Sequence, residues 1–256
     1  MMWSQTAARA WCGVASVRVT AAYAVILVAV SLMLTGISPH ARDVVVSQMS
    51  TNLHNLARGH WGTLVGSAFV SEGDDVCFWL PGLVCLLALG ELIWCSKGLL
   101  VTFAVGHVGA TLIVAAGLVV AVESGWVPFS VAHATDVGIS YGAVCVLGAL
   151  TASIPPSWRP AWVGWWLGVA LVTTLGGDFT AFGHVLALVL GIGLSFRLRS
   201  IANWTPMHVA LLVVGAAFGY CVLSGSSATA VAGGLSGALS ALVVDRYRDR
   251  SAVMSR

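Results

Sequence analysis

Two residues of the sequence, Ser140 and His184, are of the types that together perform nucleophilic catalysis. Ser140 follows Asp136 by four residues and His184 follows Asp178 by six, each near the start of an apolar segment. At 1.5 Å per residue, the two side chains are expected about 6 Å and about 9 Å below the surface where both segments begin. A serine hydroxyl becomes a nucleophile when a neighbouring histidine accepts its proton. The two residues therefore predict a Ser–His dyad at one depth of a helical bundle.

The composition places this dyad in a membrane. Of the 256 residues, 58% are hydrophobic and 9% are charged, whereas soluble domains carry about 25% charged residues. A soluble enzyme and a disordered chain are therefore excluded. The net charge of +2 is too small for a nucleic-acid-binding surface, so no nucleic-acid partner is expected. The six cysteines lie mostly in apolar runs without a CxxC pair, which is typical of small core residues.

Eight apolar stretches are long enough, or nearly so, to cross a hydrocarbon core about 30 Å thick, which takes roughly 20 helical residues. They are residues 20–37, 76–95, 99–122, 137–154, 160–177, 179–196, 205–223 and 227–244. The predicted fold is an all-α, polytopic membrane bundle. Residues 38–75 form its one long connection, predicted to lie in the headgroup region with Trp61 as an anchor. The alternative interpretation of this segment is an ordinary extracellular loop.

The charges predict which side each end faces. With the N-terminus in the cytoplasm, ten of the twelve basic residues fall on the cytoplasmic side, and only Arg42 and Arg58 do not. The sequence thus predicts an integral multi-pass plasma-membrane protein with both termini cytoplasmic. The predicted division is a cytoplasmic segment (1–19), a six-helix membrane core (20–198), two additional transmembrane helices (199–245) and a basic cytoplasmic tail (246–256).

Around the dyad the sequence resembles the rhomboid intramembrane serine proteases, over about residues 50–196. The matching residues are Gly59-His60-Trp61, Ser67-Ala68-Phe69, Leu89-Gly90-Glu91, Gly98, Gly138-Ile139-Ser140, and His184 followed by Ala187 and Gly191. The resemblance implies a rhomboid-like six-helix core, here followed by two helices. It also implies a serine endopeptidase that cleaves transmembrane clients near the outer membrane face. In such an enzyme Ser140 attacks the peptide bond and His184 acts as base.

The same resemblance implies that the Ser140 backbone amide contributes to the oxyanion hole. The implied partners are the transmembrane helix of a protein substrate and the lipid bilayer, and no cofactor is implied. No metal site is expected either, because no two His, Asp or Glu residues share a helix face within one span.

The sequence departs from the family pattern around the dyad. Tyr141 replaces the glycine after the serine and is expected to point about 100° away from it. Ala187 replaces a glycine, and Val144 stands where the family packs a tyrosine against its histidine. Asp75 and Trp79 stand at the positions of the His and Asn that stabilise the oxyanion. The loss of one oxyanion donor typically costs ~10²–10³ in rate.

Other functions and roles remain open at this point. The main alternative is a catalytically inactive rhomboid-like protein that binds and regulates transmembrane clients, unless His133 or loop residues 50–62 supply the missing donors. A transporter is disfavoured, because paired intramembrane charges and broken helices in matching halves are lacking. The alternative to a catalytic role is that the Ser140 hydroxyl bonds to a carbonyl of its own helix and that His184 is a structural residue.

Three further polar residues are assigned structural roles. Ser236 lies in a Gly-Leu-Ser-Gly string without a following histidine, so its neighbourhood predicts helix packing rather than catalysis. His107 is predicted to be a packing histidine with satisfied hydrogen bonds near the midplane. Glu91, close to Lys97, is predicted to stabilise a turn at the inner end of the second span.

Overall fold

A computed structural model describes residues 16–70, 76–176, 179–225 and 228–254. Within these ranges every regular element is a helix, which confirms the predicted all-α fold. The helices are α1 (Arg18–Thr35), α2 (Pro39–Met49), α3 (Leu53–Ala57), α4 (Thr63–Gly66), α5 (Val76–Ala104), α6 (Ala110–Glu123), α7 (Ser140–Ala149), α8 (Arg159–Thr174), α9 (Phe179–Ser195), α10 (Pro206–Ser224) and α11 (Ala228–Met254). The expectations for Asp75 and Asp178 fall on residues outside the described ranges.

Helix α5 contains the turn between the second and third predicted spans. The chain reverses at Cys95, where φ is 60°, so that Gly90 of the first leg lies against Leu99 of the second. The second leg continues through a π-helical segment, Val105–Gly109, into α6. The two legs and α6 therefore run from one end of the bundle to the other and back.

Several of the described helices are suited to a bilayer. Arg18–Thr35, Phe78–Glu123 and Pro206–Ser224 are long and apolar enough to cross a membrane, and Ser140–Ala152 and Phe179–Ser195 are shorter apolar helices. The observed helices follow the predicted stretches closely, although α11 extends to Met254 rather than to residue 244. The count of eight spans stays a prediction. The long connection folds into α2, α3 and α4, and the end of the bundle that carries it is called the loop end below.

Helix α7 lies at the centre of the bundle. Every residue from Tyr141 to Ala149 is buried, and α5, α9, α10 and the π-helical segment all pack against the helix. Such a helix has no lipid-facing side, so its neighbours must approach it closely in several directions. Small residues are what lets helix backbones approach one another in membrane proteins.

Glycines of the surrounding helices provide this close approach. A Cβ atom at Gly106 would overlap the side chain of Cys145, and one at Gly191 would overlap the Cys145 carbonyl. On α7 itself, a Cβ atom at Gly148 would overlap the carbonyl of Leu188. Gly191, seven residues after His184, is thus the position on α9 that lets α7 approach.

Helices α8 and α11 are joined by a second glycine contact. Gly164 lies against Gly237, and Gly168 lies against Gly233, with backbone facing backbone in both pairs. Ser236 is exposed beside this contact, and its hydroxyl donates to the carbonyl of Ala232 on its own helix. The packing role predicted for the neighbourhood of Ser236 is confirmed.

Glu91 links the first helix to the α5 turn at the end opposite the loop end. Its buried carboxylate accepts hydrogen bonds from the amides of Val19 and Thr20 and from the Thr20 hydroxyl, at 2.8–3.0 Å. It also accepts from the Ser96 hydroxyl at 2.6 Å. The predicted role at the turn is confirmed by Ser96, but the larger role is to cap the N-terminus of α1, where backbone amides lack carbonyl partners.

The glycine contact of α9 with α7 gives a stability prediction. Gly191→Val places a branched side chain against the Cys145 carbonyl, so we expect a loss of about 1–3 kcal/mol or more in unfolding free energy. The measurement is the midpoint of thermal unfolding in detergent. Gly193→Ala is the matched control, because a Cβ atom there meets nothing within 4 Å. Equal midpoints for the two variants would contradict the assigned contact.

Candidate functional site

Ser140 is the first residue of α7 and lies half-buried at the loop end. The chain enters the helix through Gly138, whose φ of 122° favours glycine. The amide of Gly138 donates to the carbonyl of Ser67 at 2.9 Å. Because α7 begins at Ser140, the amides of its first turn point out of the helix toward the loop end. A helix N-terminus also favours negative charge, so the hydroxyl of Ser140 stands where an oxyanion would be stabilised.

His184 lies in the second turn of α9, with 9% of its surface exposed. Helices α7 and α9 are adjacent and run in the same direction, since Tyr141 meets Gly183 and Cys145 meets Gly191 farther along both. The predicted adjacency of the helices that carry Ser140 and His184 is confirmed.

Tyr141 is the residue of α7 that contacts His184. The two rings pack edge to face, with their centroids 5.4 Å apart and their planes at 81°. The ring that packs against His184 therefore comes from Tyr141, about 100° around the helix from Ser140, and not from position 144 where the family pattern places it. Tyr141, Cys145 and Gly148 are spaced by four and three residues, so they form one stripe, and this stripe faces α9.

The space for the Tyr141 ring comes from the opposite helix. A Cβ atom at Gly183 would overlap the ring and hydroxyl of Tyr141. The bulky residue on α7 is thus matched by a missing side chain on α9, and the two helices stay in contact. In the sequence, the glycine directly before His184 indicates that a bulky side chain can pack at this point of α9.

The structure brings the helices of the predicted dyad together without a bond between its two members. No hydrogen bond joins Ser140 to His184 among the described residues, so the dyad stays a prediction. His184 also lines a cavity of about 590 Å³ at the loop end, between α8, α9, α10 and the start of α11. Thr173 and Thr229 are among the other residues that line this cavity.

Three side chains near the loop end or at a family donor position, those of Asn55, His133 and Trp79, contact other residues. The Asn55 side-chain amide donates to the carbonyls of Ser47 and Ser50, at 2.9 Å and 2.8 Å. The ring of His133 packs on that of His54, with centroids 4.4 Å apart. Trp79 is half-buried against the core. The amides of the first turn of α7 are donors that lie beside Ser140 itself.

A second serine and histidine are hydrogen-bonded in the structure. The Ser67 hydroxyl lies 3.2 Å from Nε2 of His107, and both side chains are buried. His107 belongs to the π-helical segment and stacks on Phe103, with ring centroids 6.1 Å apart. The predicted packing role of His107 is confirmed, but the prediction that its hydrogen bonds are satisfied holds only at Nε2, because Nδ1 is buried without a partner among the described residues. The partner at Nε2 was not identified from sequence. Ser67 lies 40 residues away, and only tertiary folding joins the two.

The long connection is fixed to the chain just before Ser140. The amide and hydroxyl of Thr51 both donate to the Asp136 carbonyl at 2.9 Å, and the Asp136 amide donates to the Ser50 hydroxyl at 2.8 Å. Tyr23 of α1 donates to the carbonyl of Ala68. These bonds place the loop helices beside the first turn of α7. Within the described residues, no group of three His, Cys, Asp or Glu side chains could hold a metal ion.

The structure is that of a polytopic helical membrane protein: it has apolar helices around a buried central helix, and Ser140 is the first residue of that helix. The model of the Rhomboid-like protein family matches residues 14–204, which is most of the chain, and the chain therefore belongs to the rhomboid-like family. A comparison with curated proteins finds no match, and neither does a comparison with solved structures. Helices α10 and α11 lie beyond the matched residues.

The Ser67–His107 bond gives a second stability prediction. Ser67→Ala removes the hydroxyl that Nε2 of His107 meets, and hydrogen bonds between membrane helices are worth about 0.6–2 kcal/mol. We expect a lower unfolding midpoint in detergent. Ser236→Ala is the control, because its exposed hydroxyl bonds only within its own helix and its loss should leave the midpoint unchanged. An unchanged midpoint for Ser67→Ala would show that the bond contributes nothing to stability.

Proposed function

We propose that this rhomboid-like protein is an intramembrane serine protease that cleaves transmembrane clients near the outer membrane face. The observation that carries the proposal is the edge-to-face contact of Tyr141 with His184. It fixes the imidazole beside the first turn of α7, whose first residue is Ser140. A nucleophile and a base on adjacent helices, with helix N-terminal amides next to the nucleophile, are the minimum that acyl transfer requires.

In this mechanism His184 accepts the proton of the Ser140 hydroxyl as the oxygen attacks the carbonyl carbon of the client's peptide bond. The amides of the first turn of α7 stabilise the developing oxyanion. His184 then gives the proton to the leaving amine, and water releases the acyl group from Ser140 by the same steps in reverse. The missing Ser140–His184 hydrogen bond is compatible with this reaction, because catalytic hydrogen bonds often tighten only when substrate binds.

Tyr141 supports the proposal by replacing a missing part of the family pattern. The resemblance places an aromatic ring against the histidine at the position of Val144, three residues farther along α7. Tyr141 supplies such a ring from the first turn instead, with Gly183 making room for it. The position after the serine is thus altered, while the contact that orients the histidine is kept.

Substitution of the dyad tests the proposal. Ser140→Ala removes the attacking oxygen with little change in volume, and His184→Ala removes the base. We expect both variants to lose nearly all cleavage of a model transmembrane substrate, because the members of a dyad act as a unit. Ser236→Ala should leave cleavage unchanged. The measurement is cleavage in proteoliposomes, together with labelling of the wild type by a fluorophosphonate.

Two results would contradict the proposal in different ways. Labelling that is lost in Ser236→Ala but kept in Ser140→Ala would identify a different nucleophile. A wild type that is neither labelled at high probe concentration nor able to cleave would exclude the protease.

The second candidate is an inactive rhomboid-like protein that binds and regulates transmembrane clients. It is favoured by one observation. The Asn55 side-chain amide donates both of its hydrogen bonds to the carbonyls of Ser47 and Ser50, so it does not serve as an oxyanion donor. With Trp79 at a family donor position, the side-chain amide that the family uses there is absent. A client helix that crosslinks to the exposed side of α9, at Phe182 or Val189, but is never cleaved by the wild type would favour this candidate over the protease.

We also propose that the protein lies in the plasma membrane with both termini in the cytoplasm. Basic side chains gather at the end opposite the loop end: Arg18 and Arg159 begin helices, Arg197 follows α9, and Lys97 lies beside the α5 turn at Cys95. This agrees with the bias of Lys and Arg toward the cytoplasm. A reporter that is active only in the cytoplasm should therefore be active when fused after Arg256. Activity of a reporter that requires the outside would contradict the even number of spans.

A further inference from the structure

The loop end carries a groove that takes no part in the proposed proteolysis. It has a volume of about 650 Å³ and lies between α3, the segment Phe129–His133 and nearly the whole length of α6. Its deeper part is lined by side chains of α6, from Leu112 through Val119 to Val122. Leu112 and Val119 are 40% and 46% exposed, so this part opens on the surface that an apolar bundle turns toward lipid.

The outer part of the groove is lined by polar side chains, histidines on one side and a carboxylate on the other. His54 and His133 line it with their rings 4.4 Å apart, and Glu123 lines it at the end of α6. Arg58 and His60 lie near His54 on the exposed surface of the loop. Loss of hydration, together with the positive charges of Arg58, His133 and His60, lowers the pKa of His54. The neutral His54 ring still offers an N–H donor, and Arg58 nearby supplies a positive charge, so this side of the groove mouth is suited to an anion, whereas Glu123 is suited to a cation.

Aromatic side chains frame the same mouth. Trp61 and Phe129 line the groove and are 61% and 70% exposed. Exposed aromatic rings are typical of the membrane–water interface, where polar and apolar surroundings meet. The mouth therefore lies at headgroup level, and the apolar part extends from it into the bilayer.

The dimensions fit a single lipid. From Glu123 back to Leu112 the helix α6 spans eleven residues, or about 16 Å at 1.5 Å per residue. That length accommodates much of one extended acyl chain. A phospholipid with a primary ammonium headgroup carries a phosphate for the His54, His133 and Arg58 side and an N–H donor for Glu123.

We propose that this groove binds one outer-leaflet phospholipid with a primary ammonium headgroup, such as phosphatidylethanolamine. The phosphate lies against His54, His133 and Arg58, the ammonium donates to the Glu123 carboxylate, and one acyl chain lies along α6. Phosphatidylcholine keeps the phosphate and the positive charge but has no N–H donor. Phosphatidylglycerol keeps the phosphate but has no cation.

The test uses the full chain in nanodiscs with three photoactivatable lipids that share one diazirine-bearing acyl chain and differ only in headgroup. Crosslinked peptides are quantified by mass spectrometry. We expect crosslinks to residues 112–122 to be roughly tenfold or more as frequent for phosphatidylethanolamine as for the other two lipids, which is the ratio that even a weak hydrogen bond to a charged group provides. Glu123→Gln should remove this preference, and Arg58→Gln should weaken crosslinking of all three lipids.

Asp245→Asn is the matched control, since it neutralises an exposed carboxylate of α11 far from the groove and should preserve the preference. Equal crosslinking of the three lipids would overturn the proposal, because the groove would then be an unselective lipid-facing surface. A preference for phosphatidylglycerol that survives Glu123→Gln would also overturn it. The measurement does not require cleavage, so it can succeed or fail independently of the proposed protease.

Discussion

The burial of α7 on every side is the constraint on which the rest of the structure depends. A helix without a lipid-facing surface must be contacted by several neighbours, and each contact here occurs where a side chain is missing. Gly106, Gly148 and Gly191 mark the closest approaches. In a bilayer apolar burial contributes little to helix association, so close packing must hold the bundle together. The position of Ser140, at the first turn of α7, follows from this arrangement.

The loop end is held by polar contacts rather than by glycines. Thr51 and Ser50 bond to Asp136, Gly138 bonds to Ser67, and Ser67 bonds in turn to His107. These bonds connect the long connection, the entry to α7 and the π-helical segment in one chain of contacts. Both the proposed dyad and the proposed lipid groove lie beside it. The glycine contacts thus position the helices, and these polar contacts position the loop helices beside both sites.

The contact of Tyr141 with His184 shows how the structure accommodates a tyrosine where the family has a glycine. A tyrosine after the serine would separate α7 from α9 if residue 183 carried a side chain. Because residue 183 is glycine, the ring fits between the helices and becomes a support for the imidazole. The tyrosine that departs from the family pattern is therefore the residue whose ring packs against His184.

The sequence by itself determined the helical fold, because roughly 20 apolar residues in a row leave no other regular structure in a bilayer. It also placed Ser140 and His184 on neighbouring helices, which the contacts of Gly183 and Gly191 with α7 confirm. Only the tertiary structure decided which side chain of α7 meets His184, since the rotation of a helix depends on all its neighbours at once. The Ser67–His107 bond and the cap by Glu91 join residues 40 and about 70 positions apart. No local pattern encodes such contacts, because they form only when helices distant in sequence become neighbours.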